Sequence, residues 1–222
     1  MPAGSRSPTA HVVWDWNGTL FDDFWLTARI ARATLAELGV PDVSGTAVRD
    51  SFTRPFHVFC GRLLGRSVTD GEFAYIRRRY ESEYEAKVFS LSLRADAKQA
   101  LDHVSGTATQ SLLSMAPDAQ LQALVDHHAI RTRFLHIEGS PTASSDGNKA
   151  DRLRTHLDTL RIDADRALII GDTVDDQEAA AACGARAVLV TSGSQSRVAL
   201  EGTGSPVVDT LLEAAFIATD AT

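Results

Sequence analysis

The chain has little of what several functional classes require. Its 222 residues include two cysteines, Cys60 and Cys183. They form no CxxC pair and no metal-ligand spacing, and two thiols cannot build a disulfide framework. They read as small buried thiols in a reducing compartment. No apolar run approaches the roughly 20 residues that span a bilayer. Residues 1–9 contain no apolar segment of the secretory type and read as a short flexible arm. Positive charge is also scarce, with 22 Lys and Arg against 29 Asp and Glu, a net charge of −7. That balance argues against nucleic acid or an anionic membrane as partner, because both need a basic face. It does not argue against an anionic small molecule, which a few local cations or a metal can hold. These absences point to a cytoplasmic protein. A monomer or homodimer is expected.

What is present is an ordinary globular composition, 44% hydrophobic and 23% charged. Val12-Val13-Trp14 is a short apolar run ending in polar residues and Gly18, the pattern of a buried strand followed by a turn. Helical spacing takes over afterwards, with helices expected at 24–38, 46–64, 70–87 and 94–104. The chain then alternates. Strands are expected at 107–114, 134–137, 167–170, 187–190 and 206–208, with helices at 118–128, 149–160, 176–183 and 210–218. Strands alternating with helices imply right-handed crossovers and a doubly wound parallel α/β sheet covered on both faces. The helical stretch interrupts this alternation directly after the first strand. The economical division is an α/β core at 10–21 and 93–222 with an all-helical insertion at 22–92. The Ser/Gly-rich stretch 139–147 reads as a loop within the core.

Ligands of open α/β sheets bind beyond the carboxyl ends of the strands. Asp15, Ser114 and Asp172 stand at such ends, and Lys149 opens a crossover helix. A carboxylate nucleophile, a hydroxyl, a lysine and further carboxylates at 172, 175 and 176 form a chemically coherent set. A carboxylate can accept a phosphoryl group. Bringing it to a phosphate dianion calls for Mg²⁺, a hard cation that takes one or two carboxylates plus phosphate oxygens and waters. A lysine and a hydroxyl then balance the charge on the transferring group. Each segment alone has a plainer reading: Asp15–Thr19 as a turn, Gly171-Asp172-Thr173 as a helix N-cap, Lys149 as a solvated lysine. Their order on alternating strands makes the joint reading the stronger one.

Asp15-Trp-Asn-Gly-Thr-Leu-Phe-Asp22 resembles the first motif of the haloacid dehalogenase superfamily. Ser114 resembles its second motif, Lys149 its third, and Gly171-Asp-Thr-Val-Asp-Asp176 its fourth. The insertion resembles the helical cap of the phosphoglycolate phosphatase and β-phosphoglucomutase branch. The resemblance implies a Mg²⁺-dependent phosphatase acting on a small phosphorylated metabolite. It makes Asp15 the nucleophile and a metal ligand, the Asn17 carbonyl a second ligand and Asp172 a third. Asp176 would ligate through water or orient Lys149. Ser114, Lys149 and Thr19 would hold phosphoryl oxygens.

The family's usual second aspartate, the proton carrier, is Asn17 here. General acid–base catalysis contributes typically 10²–10⁴-fold, so the loss falls hardest on poor leaving groups. Two other readings follow from Asn17: a catalytically silent protein that binds a phosphorylated ligand, and a dehalogenase- or phosphonatase-type hydrolase. Substrate choice should lie in the insertion, where Arg54, His57, Arg62 and Arg66 are the candidates and Arg54 the foremost. Phe52, Phe56 and Phe59 read as core residues there.

Overall fold

The structure, a computed structural model, describes residues 9–141 and 148–220. Most of the expected N-terminal arm and most of the loop expected at 139–147 therefore lie outside the described residues. The first strand, β1 (His11–Trp14), is followed by four helices: α1 (Phe24–Glu37), α2 (Gly45–Ser51), α3 (Phe56–Leu64) and α4 (Asp70–Glu85). The chain then continues through α5 (Ala97–Ser105), β2 (Thr109–Pro117), α6 (Asp118–His127), β3 (Ile137–Ser140) and α7 (Lys149–Leu160). It ends with β4 (Ala167–Gly171), α8 (Val174–Cys183), β5 (Arg186–Val190), α9 (Arg197–Glu201), β6 (Val207–Val208) and α10 (Leu211–Thr219).

The six strands form one sheet in the order β3-β2-β1-β4-β5-β6, all pairs parallel. Strand side chains alternate between faces, and the core divides accordingly. Val12 and Trp14 join the cluster that holds Leu101 of α5, Leu121 of α6 and Leu211 of α10. Val13 joins the opposite cluster, with Leu153 of α7 and Ala179 of α8. Helices therefore cover both faces, as expected of a doubly wound α/β fold. The insertion has an apolar cluster of its own around Phe24, Leu35, Val48 and Phe59, while Leu26, Ile30 and Tyr84 pack into the core cluster. Among the described residues no helix is long and apolar enough to cross a membrane.

Five expectations need correction. The single helix at 46–64 is two helices, because Pro55 cannot donate to a helical ladder and instead caps α3. The strand expected at 134–137 lies at Ile137–Ser140, and a 3₁₀ turn occupies Arg131–Arg133. Gly139 belongs to that strand, not to a turn: a Cβ there would overlap the Asp118 backbone, and its amide donates to Asp118 Oδ1 at 2.8 Å. Ser114 lies within β2, where pairing with β3 shifts register between Leu113 and Pro117. Finally, α8 starts at Val174, and its N-cap is Thr173, whose hydroxyl accepts from the Asp176 amide.

Candidate active site

The two central strands position the site. From β1 the chain runs to β2 on one side, and from β3 it crosses back to β4 on the other, so the order reverses between β1 and β4. The crevice at such a reversal is where open α/β sheets bind ligands. Asp15 follows β1 with its amide still in the ladder, donating to Ile170 O at 2.9 Å. Asp172 follows β4. The Thr19 hydroxyl lies between them, 3.2 Å from Asp15 Oδ2 and 3.1 Å from Asp172 Oδ1. Thr19 reaches this point because the loop doubles back at Gly18, whose φ of 75° suits glycine, and because the Phe21 amide donates to Trp16 O at 2.9 Å. Thr19 is fully buried, meets both carboxylates and is not among the residues that line the cavity above them.

A second loop, 191–196 beyond β5, closes the far side. The Ser194 amide donates to Asp172 Oδ2 at 2.5 Å, and a Cβ on Gly193 or Gly18 would overlap the Asp172 carboxylate. Neither Gly193 nor Ser194 stands in a recognised motif. Their signal was a Thr-Ser-Gly-Ser loop at the carboxyl end of a strand that neighbours β4.

Lys149, the first residue of α7, sends its Nζ to Asp15 Oδ1 at 2.5 Å and to Asp176 Oδ1. Asp176 is fully buried, and its other oxygen accepts from the Thr173 amide at 3.0 Å and the Thr173 hydroxyl at 2.6 Å. With both oxygens engaged, Asp176 holds Lys149 and the start of α8. Donor atoms of Asp15, Asp172 and Asp176 nevertheless lie within 4.8 Å of one another. Burial pushes Asp15 up to about 7, although the Lys149 ammonium pulls against it. Burial and the charges of Asp15 and Asp176 push Asp172 up to about 8. Burial disfavours the charge on Lys149, yet Asp15 and Asp176 keep it protonated. Three buried carboxylates around one ammonium are short of positive charge. An all-oxygen set with that deficit fits a hard divalent cation, which would return Asp15 and Asp172 to their ionised forms.

Asn17 is tied into a network that no motif announced. Its Nδ2 donates to Asp23 Oδ2 at 2.7 Å and to the Tyr84 hydroxyl at 2.9 Å, while Tyr84 also donates to Asp23 Oδ2 at 2.7 Å. Asp23 Oδ1 accepts from the Gly18 amide at 2.8 Å. Asp23 stands at the N-cap of α1 but caps nothing with its side chain; the carboxylate turns back to the nucleophile loop. Burial raises its pKa, partly offset by these hydrogen bonds. In sequence Asp23 reads as a helix start, and nothing local shows that Tyr84, 61 residues away, will meet it.

Above these groups lies a cavity of about 340 Å³ between sheet and insertion. Asp15, Asn17, Ser114, Lys149 and Asp172 line its floor. The Ser114 hydroxyl oxygen accepts from the Ala116 amide at 3.0 Å, which fixes its direction. Of the four candidates in the insertion, Arg54 lines the cavity, with Nε 3.6 Å from Asp175. His57, Arg62 and Arg66 are exposed and line none of it, and Arg66 pairs with Glu72 at 2.6 Å. Arg77, Tyr80 and Tyr84 line it unannounced. Phe59 is a core residue as expected, but Phe52 and Phe56 also face the cavity. The insertion is fastened to the core through Arg49, whose Nε donates to Gly193 O at 2.9 Å, and through Gln195, which donates to Phe52 O at 2.9 Å.

Comparison with known proteins agrees with this arrangement. The family model of haloacid dehalogenase-like hydrolases matches residues 12–181, and a second, related hydrolase model matches 149–214. The chain is 28% identical over 200 residues to the tyrosine-protein kinase PtkA of Mycobacterium tuberculosis, spanning 89% of this chain and 67% of that protein. It is 26% identical over 191 residues to the phosphoglycolate phosphatase of Vibrio parahaemolyticus, spanning 82% of this chain and 83% of that one. A haloacid dehalogenase-like family hydrolase from Streptococcus pneumoniae has the same fold, with a TM-score of 0.76 at 24% identity over 93% of this chain and 96% of that one. With the family match running from the first strand into α8, the chain belongs to the haloacid dehalogenase-like hydrolases.

Proposed function

We propose that this protein is a Mg²⁺-dependent phosphatase that cleaves a small phosphorylated metabolite through a phosphoryl group carried on Asp15. The observation that carries this reading is the placement of Asp15 at the topological switch point, facing the cavity with the Lys149 ammonium 2.5 Å away. Asp15, Asp172 and the Asn17 carbonyl would hold the metal. Bound there, Mg²⁺ supplies positive charge that lets two anions, carboxylate and phosphate, approach.

An Asp15 oxygen attacks phosphorus, the bond to the leaving oxygen breaks, and the bonding electrons depart on that oxygen, which leaves as an anion and takes its proton from solvent. Lys149 and the Ser114 hydroxyl hold the equatorial oxygens as charge spreads over them. Asp176 and Thr173 keep Lys149 aimed. Water then attacks phosphorus, releasing inorganic phosphate and restoring the Asp15 carboxylate. Asn17 cannot hand a proton to the leaving oxygen, so substrates with stable leaving groups, acyl or aryl phosphates, suit the site best. Arg54 reaches the cavity from the insertion and would recognise a distal anionic group through its planar fork.

The likeness to a protein named a tyrosine kinase supports a second reading, transfer of the Asp15-bound phosphoryl group to a hydroxyl acceptor other than water. Both readings share the first half-reaction. The test is turnover of p-nitrophenyl phosphate, acetyl phosphate and phosphoglycolate with Mg²⁺ and with EDTA, in wild type and Asp15→Asn. Metal-dependent release of phosphate, abolished in Asp15→Asn, is expected. A burst of one equivalent without turnover would favour the acceptor reading, and no reaction in folded protein would defeat both.

A further inference from the structure

At the edge strand β3, two strands from the β1 that precedes the nucleophile, two histidines and a glutamate converge. His136 precedes β3, Glu138 is within it, and His156 projects from α7. His156 Nδ1 lies 2.8 Å from Glu138 Oε2, and His136 Nε2 lies 3.7 Å from the same oxygen. The other Glu138 oxygen accepts from Arg152 at 2.9 Å. The mechanism uses none of the three.

Outer contacts hold the His156 ring in place. Its Nε2 lies 2.7 Å from the Ser111 hydroxyl, which also lies 2.8 Å from His11 Nε2, and His11 Nδ1 lies 2.8 Å from the Thr109 hydroxyl. With Nε2 engaged there, His156 turns its Nδ1 to the Glu138 carboxylate at 2.8 Å. One ligand atom from each of His136, Glu138 and His156 lies within 4.8 Å of the other two.

We propose that His156 Nδ1, His136 Nε2 and Glu138 Oε2 form a second metal site in this protein, for a transition-type divalent cation of the Zn²⁺ class. Two imidazoles and one carboxylate suit such an ion better than Mg²⁺. Ligand bonds of roughly 2.0–2.1 Å in tetrahedral array put donor atoms about 3.3 Å apart. The His156–Glu138 separation has to open by about half an ångström and the His136–Glu138 separation to close by somewhat less. The ion binds the Nδ1 lone pair of His156, and any proton on that nitrogen leaves to solvent. The Ser111 contact to His156 Nε2 is the kind of outer partner that fixes a ligating ring and its tautomer. His156 is fully buried and Glu138 and His136 are partly exposed, so the ion would enter from the His136 side and keep a position for water. Such an ion would clamp the edge strand β3 to α7, the helix that begins with Lys149.

The test uses the full chain, stripped with EDTA and supplied with excess Mg²⁺ to fill the Asp15 and Asp172 site. Co²⁺ is then titrated as a spectroscopic stand-in for Zn²⁺. Expected are one equivalent bound, visible bands of a four-coordinate nitrogen and oxygen set, and displacement by Zn²⁺. His136→Ala, a partly exposed position away from the catalytic groups, should weaken binding by at least the roughly 10–100-fold known for outer-shell losses and remove the bands. His156→Gln serves as a second variant where it folds. Absence of Co²⁺ uptake in wild type under excess Mg²⁺, or uptake with unchanged spectrum in His136→Ala, overturns the proposal.

Discussion

Asn17→Asp is the most informative substitution, because the structure shows what a carboxylate there would meet. The Asn17 amide nitrogen that it replaces lies 2.7 Å from Asp23 Oδ2, and Asp23 is buried. Two unit charges at that distance repel by about 6 kcal/mol at an effective dielectric of ~20, on the order of four pK units. Positions 17 and 23 would therefore share one proton at neutral pH and titrate as a pair. The shared proton is what the wild-type site lacks, a donor for the leaving oxygen beside the nucleophile. The ratio of kcat/KM for an alkyl phosphate to that for p-nitrophenyl phosphate should rise by about 10²-fold or more, within the usual range of acid catalysis. The same repulsion destabilises the fold, with a definite sign. A carboxyl whose folded pKa lies above its unfolded value costs nothing below about pH 4, where it is protonated in both states. The penalty grows as pH rises and is complete above the folded pKa. Urea unfolding at pH 4.5 and pH 8 should show a deficit relative to wild type that widens with pH, and Asn17→Asp with Asp23→Asn should narrow it. An unchanged substrate ratio together with a pH-independent deficit would refute the reasoning.

Four further outcomes are expected. Mg²⁺ affinity should fall as pH drops from 8 to 6, because protons compete for Asp15 and Asp172, held at about 7 and about 8 without a cation; calorimetry in two buffers of different ionisation enthalpy would register the released protons, and a pH-independent affinity would contradict this. Lys149→Met leaves Asp15 and Asp176 buried without their ammonium, and should cost roughly 3–5 kcal/mol of stability by urea unfolding and about 10²–10³-fold in kcat. Gly193→Ala drives a methyl group into the Asp172 carboxylate and should abolish Mg²⁺ binding while circular dichroism still reports a folded chain. Arg54→Ala should raise KM about tenfold for substrates with a second anionic group, from the loss of one charge-assisted hydrogen bond, and leave p-nitrophenyl phosphate unaffected.

The main outline of the fold was legible in the residues. Val12–Trp14 and Ala167–Ile170 are β-branched and aliphatic runs too short for helices, and alternation with amphipathic segments admits little besides a parallel sheet. Because ligands gather at strand ends in such sheets, Asp15, Lys149 and Asp172 could be put together from order alone, and they do meet. The cap of α8 was legible in part: an N-cap within Gly171-Asp172-Thr173 was expected, and Thr173 and Asp176 satisfy each other within four residues, but the helix starts at Val174 and not at Asp176. Contacts between distant segments were not legible. The break at Phe52–Pro55 is a local effect of the proline, whereas the position of β3 turned on a backbone approach at Gly139. Tertiary structure alone decided that Asp23 and Tyr84 hold Asn17, that Gly193 and Ser194 close over Asp172, and that Arg54, but not His57, Arg62 or Arg66, reaches the cavity. The physical reason is common to all of these. Periodicity and turn chemistry report a residue's own segment, whereas a buried hydrogen bond depends on where a second segment, tens of residues away, is brought by the packing of the first.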